Sequence, residues 1–121
     1  MKISCTALDK KFSVYIRTLG NWQCARCATK YYPPTNALHC AHMFTRSKQS
    51  TRFDVDNCKP LCYGCHSYLD RNPLEKYAWY VNKYGRRKFD LLRLRSNTPQ
   101  KLDRELINLW VTKELERLGS V

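Results

Sequence analysis

Two Cys-x-x-Cys pairs, Cys24-Ala-Arg-Cys27 and Cys62-Tyr-Gly-Cys65, constrain this chain more than any other feature. Spacing by two residues lets both sulfurs of a pair reach one ion, and two pairs complete a closed tetrahedral site of the structural zinc kind. The stretch 28–61 is longer than the span inside a plain zinc ribbon, so a further element must fold between the knuckles. A redox Cys-x-x-Cys is the competing reading, but it needs no second pair. Cys58 is a rival ligand, and Cys5 and Cys40 read as free thiols. The total of seven is odd, so at least one thiol stays unpaired. The start, MKISCTALDKKF, lacks the apolar run of a secretory signal, and no stretch reads as membrane-spanning. The expectation is therefore a cytoplasmic setting, where paired cysteines hold metal rather than form disulfides. Four thiolates leave no open coordination position, so this zinc should staple a small domain and do no chemistry.

The length, 121 residues, suits a single domain over 1–121. The pattern divides into a cysteine-rich core at about 22–70 and a helical part at about 72–121. Residues 7–19 place Leu8, Phe12, Tyr15, Ile16 and Leu19 on one helical face, with Gly20 as a stop. Short strands are expected near 38–43 and 51–55, flanking a polar loop, and a short helix near Pro60. Asn72-Pro73 opens a helix that Gly85 ends. A basic helical run follows over 86–95, and Thr98-Pro99 opens a last helix that Gly119 closes. Its apolar set, which includes Ile107, Val111, Leu115 and Leu118, is wide enough to supply a homodimer interface. Tyr77, Trp79, Tyr80 and Tyr84 read as core. The fold class is α+β.

The net charge is +12, from 22 Lys and Arg against 10 Asp and Glu. Such an excess favours a polyanionic partner through phosphate contacts and counterion release. Arg46, Lys48 and Arg52 lie on or beside the polar loop, where they can hold phosphates. Arg86, Arg87 and Lys88, with Arg93 and Arg95, form either a second backbone-tracking surface or a solvated helix face.

The three histidines, His39, His42 and His66, all fall between the knuckles or directly after one. Strand alternation alone does not bring His39 and His42 to one site. The run His39-Cys-Ala-His42, then Asn57, then Leu61-Cys62-Tyr-Gly-Cys65-His66 resembles an HNH (ββα-metal) endonuclease. The closer resemblance is to the NinG/Rap recombination endonucleases of lambdoid phages. Ala41-His42, Arg52-Phe53 ahead of Asn57, the second knuckle and Arg71-Asn72-Pro73 carry it, over roughly 24–92. Ala41 stands where the broad family has Asp or His, and His39 where the NinG-like pattern has an acid.

The resemblance implies a small zinc-stapled ββα core wrapped by additional helices. It implies metal-dependent hydrolysis of DNA, with branched or Holliday-junction DNA as substrate inside a phage-infected or prophage-bearing bacterium. His42 then suits the general base, and Asn57 the brace that aims it through hydrogen bonds to backbone. His66 and His39 would hold a catalytic Mg²⁺ or Mn²⁺. Blander readings stay open: His66 as a helix cap or spare zinc ligand, Asn57 as a turn residue. Two rivals remain: a non-catalytic zinc-containing DNA-binding module, and a sequence-specific or nicking HNH enzyme.

Overall fold

A computed structural model describes residues 4–119. Helix α1 spans Ala7–Leu19, β1 Leu38–His42, β2 Cys58–Cys62, α2 Tyr63–Arg71, α3 Pro73–Tyr84, α4 Arg86–Ser96 and α5 Arg104–Arg117. The class is α+β: among the described residues, five helices accompany one two-stranded antiparallel sheet. None of these helices is long and apolar enough to cross a membrane.

Helix α1 starts at a reciprocal cap. Thr6 Oγ1 accepts from the Asp9 amide, and Asp9 Oδ2 accepts from the Thr6 amide. Its apolar face buries Phe12, Tyr15 and Ile16 against Val111 and Leu115 of α5 and Cys58 of β2. Leu19, expected on that face, is exposed at its end.

Strand β1 lies within the expected span, but β2 does not. The expected strand at 51–55 is instead a 3-10 turn over Gln49–Thr51 and an irregular loop, and the helix expected near Pro60 starts at Tyr63. Thr51-Arg52-Phe53-Asp54-Val55 alternates like a strand, yet its polar positions turn inward: Thr51 and Arg52 are buried, and Thr51 Oγ1 meets Ser96 Oγ at 3.0 Å. The register runs Leu38↔Cys62, Cys40↔Pro60, His42↔Cys58. Pro60 is tolerated because the sheet has only two strands, so an amide donor can be missing on the outer side.

Arg52 corrects the expectation of a phosphate-holding side chain. It is 3% exposed. Its Nε donates to Asp9 Oδ1 at 2.9 Å, and its Nη2 donates to Asp9 Oδ2 at 2.5 Å and to the Ser4 carbonyl at 2.9 Å. The bidentate pair ties the loop to the first turn of α1. Burial alone would raise the Asp9 pKa, but the Arg52 guanidinium and the Thr6 donors hold the carboxyl well below the usual carboxylate range. Arg52→Ala removes the bidentate partner of that carboxylate, leaving it the Thr6 donors and the more distant Arg46, and should cost about 3 kcal/mol, read by chemical denaturation. Because the folded pKa is depressed, the pair contributes fully above about pH 4 and is lost as pH falls toward the folded value. The variant's stability deficit should therefore shrink in acid.

The interior is split into three clusters. One joins α1, α5 and β2. A second packs Cys24, Leu38, Leu61, Cys65 and Leu69 around the knuckles, and a third packs Tyr80, Phe89 and Leu92 between α3 and α4. Tyr80, fully buried, donates its hydroxyl to the Asp56 carbonyl at 2.6 Å, whereas Tyr77 is 39% exposed and borders the core rather than filling it. The last helix begins at Arg104 under an Asp103 cap, later than Thr98-Pro99 suggests. Close approach explains Gly20: a Cβ there would stand 2.6 Å from Pro60 Cγ. Gly20→Ala should cost about 1–3 kcal/mol and lower the thermal midpoint, since a proline ring can yield little.

Candidate active site and metal centre

The four knuckle cysteines converge, with all ligand sulfurs within 4.8 Å of one another. Cys27 Sγ and Cys62 Sγ are 3.8 Å apart. Two sulfurs at about 2.3 Å from one tetrahedral ion stand about 3.8 Å apart, so the spacing fits zinc. The amides of Cys27 and Cys65 donate to Cys24 Sγ and Cys62 Sγ at 3.5 and 3.4 Å, which fixes each knuckle turn. Ala28 closes the first turn at φ 66°. The cluster can hold a structural metal such as zinc. It anchors the start of α2 next to β1, and so sets where His66 points.

His66 sits on the first turns of α2 and meets His39 of β1, Nδ1 to Nδ1 at 2.9 Å. Its Nε2 lies 3.2 Å from Asp70 Oδ2, one helical turn on. A carboxylate accepts, so Nε2 carries the proton and Nδ1 keeps its lone pair. That is the arrangement a metal-binding imidazole needs. Two nitrogens at about 2.1 Å from one ion and at right angles to it stand about 3.0 Å apart, so the pair fits neighbouring positions on a divalent cation. Burial lowers the His66 pKa, with Asp70 opposing, which favours the neutral form that binds metal.

His42 ends β1. It shares a cleft of about 540 Å³ with His66, Asp70, Lys76, Arg46 and Cys40. Its Nε2 lies 3.2 Å from the Arg52 carbonyl, which can only accept. The proton is therefore on Nε2, and Nδ1 is the basic atom. Burial lowers its pKa, the Arg52 carbonyl opposing, so the ring is neutral at pH 7.

Asn57 is fully buried beneath the loop between the strands. Its Oδ1 accepts from the Phe44 amide at 2.7 Å, and its Nδ2 donates to the carbonyls of Phe44 at 2.9 Å and Thr51 at 3.0 Å. It stitches Phe44 and Thr51 together within the loop that carries the Arg52 carbonyl, the oxygen that His42 Nε2 meets.

Two site residues carry no signal used in the sequence reading. Asp70 was legible as His66-x-x-x-Asp70 on one helix face. Lys76 was not, since only the packing of α3 brings its Nζ to the His42 carbonyl at 2.9 Å and to Asp70 Oδ1 at 2.7 Å.

The expected cations divide by place. Arg46 lines the cleft, 3.9 Å from Asp9. Lys48 is exposed on the loop beside Asn97. Arg86, Arg87 and Lys88 are exposed in the first turn of α4, with Arg86 3.6 Å from Asp90 and Lys88 3.7 Å from Asp56. Arg95 instead pairs with Asp54 and Asp56 and holds the loop. No family model matches this chain, and no curated protein and no solved structure matches it either.

Proposed function

We propose that this protein is a metal-dependent endonuclease that hydrolyses DNA phosphodiester bonds, its β1–β2–α2 unit serving as an HNH core. The observation that carries the reading is one cleft holding two kinds of imidazole: the neutral His42 ring, basic at Nδ1, and the His66 ring, whose Nδ1 is 2.9 Å from that of His39. His42 Nδ1 takes the proton of the attacking water, and the Arg52 carbonyl holds the resulting imidazolium at Nε2. A divalent ion on His39 and His66 would neutralise a nonbridging phosphate oxygen and the departing 3′ oxygen. Imidazole ligands suit Mn²⁺ better than Mg²⁺, which prefers oxygen. Arg46 borders the cleft and can meet the phosphate. Arg86, Arg87 and Lys88 stand exposed at a helix N-terminus; the pairs Arg86–Asp90 and Lys88–Asp56 are surface pairs that a phosphate can replace. Junction DNA and a phage setting rest on the family resemblance alone, and the cytoplasm on the cysteine usage and the absence of a secretory run at the start.

The test is cleavage of a labelled four-way junction and its matched linear duplex, with Mn²⁺, with Mg²⁺ and without added metal. Cutting that requires a divalent ion is expected, faster with Mn²⁺, and the junction-to-duplex ratio reports the substrate class. Binding of both DNAs with cleavage of neither, under any divalent ion, would leave a zinc-containing DNA-binding module in its place.

A further inference from the structure

Cys40 and Cys58 lie outside the knuckles, yet they are not scattered thiols. With His42 they form a second group of ligand atoms, all within 4.8 Å of one another. Cys58 is 1% exposed on β2, in register with His42. Cys40 precedes His42 by two residues on β1 and so shares its strand face. Cys40 and His42 both line the open cleft, which gives an ion a route in. Cys58 Sγ points at the Arg52 carbonyl, 3.8 Å away, the same oxygen that His42 Nε2 meets. Two sulfurs and one imidazole form a soft, borderline ligand set that selects zinc-like ions over Mg²⁺ or Mn²⁺.

We propose that Cys40, His42 and Cys58 form an inhibitory site for a thiophilic divalent ion such as Zn²⁺, separate from both the four-cysteine cluster and the His39–His66 pair. Binding releases the two thiol protons to solvent and involves no change of oxidation state; water entering from the cleft completes the shell. The ion disarms His42 whichever nitrogen it takes. On Nδ1 it occupies the basic lone pair. On Nε2 it displaces the ring proton to Nδ1, which then has no lone pair to offer. The inhibitory part rests on the nuclease reading, whereas the metal site itself does not.

The experiment uses the full chain carrying one equivalent of zinc, titrated with Co²⁺ or Cd²⁺. A further thiolate-to-metal charge-transfer band is expected on the second equivalent, and Cys40→Ser should remove most of it. An ion on His39 and His66 gives no such band, so the two sites are spectroscopically distinct. In the Mn²⁺-dependent cleavage assay, added Zn²⁺ should inhibit, and Cys40→Ser, scaled to its own zinc-free rate, should need at least tenfold more zinc. Absence of the second band in the wild type, or an equal band in Cys40→Ser, overturns the site. If the protein cuts no DNA, the titration still decides the metal site alone.

Discussion

Cys65→Ser, or removal of zinc with a strong chelator, is expected to abolish the cooperative thermal transition of this protein. Structural zinc sites bind with apparent free energies of about 10–16 kcal/mol in isolated fingers, more than the roughly 5–15 kcal/mol that holds most domains folded. The split interior makes the dependence acute. The cluster around Cys24, Leu38, Leu61, Cys65 and Leu69 is built on the knuckles themselves and shares no buried residue with the other two clusters. Without an ion, the four thiols are left with only weak sulfur hydrogen bonds, from the Cys27 and Cys65 amides, Arg26 and Thr29, to hold them together. Circular dichroism across a temperature ramp, with and without chelator, measures the effect. A transition that survives metal removal unshifted would show the cysteines to be incidental.

His42→Ala should lower kcat for DNA cleavage by about 10²–10⁴-fold, the usual worth of a positioned base, while leaving DNA affinity close to wild type. Asn57 stitches the loop independently of the imidazole, so the fold should survive. The wild-type rate should rise with pH while His42 loses its proton and then level off. Because burial lowers the pKa of this ring below the ordinary 6.5, the midpoint of that rise should lie below 6.5. A midpoint well above it would move the proton-accepting role elsewhere.

Much of this architecture can be read from residue order. Periodicity and the Gly20 stop locate α1, Pro73 and Gly85 bound α3, and Cys-x-x-Cys spacing locates the metal cluster before any packing is known. The second strand is hidden because Cys58-Lys-Pro-Leu-Cys62 carries a proline that reads as a helix start, while the loop at 51–55 alternates more like a strand than the strand does. The fate of Arg52 is equally hidden. A basic residue beside a polar loop reads as phosphate-facing until its Asp9 partner, 43 positions away in the chain, is brought against it. His39 shows the same limit. Strand alternation separates it from His42, and only the return of α2 over the sheet gives it His66 as a neighbour.

The seam between α1 and α5 has a consequence for how fast this chain reaches its native state. Its polar links, Lys11 to Asn108 and Thr112 and Tyr15 to Glu114, join residues 97 to 101 positions apart. Closing so long a loop costs little at equilibrium, since each doubling of length adds only about 0.6 kcal/mol. It weighs instead on rate, because distant contacts must be found before they stabilise anything. A closed metal cluster, linking Cys27 to Cys62 across 35 positions, shortcuts that search only in part. The seam holds neither the knuckle cysteines nor the histidines, but Val111 and Leu115 pack in the same cluster as Cys58. Substitutions at Val111 or Leu115 are therefore expected to slow folding and, through Cys58, to reach the edge of the His42 cleft.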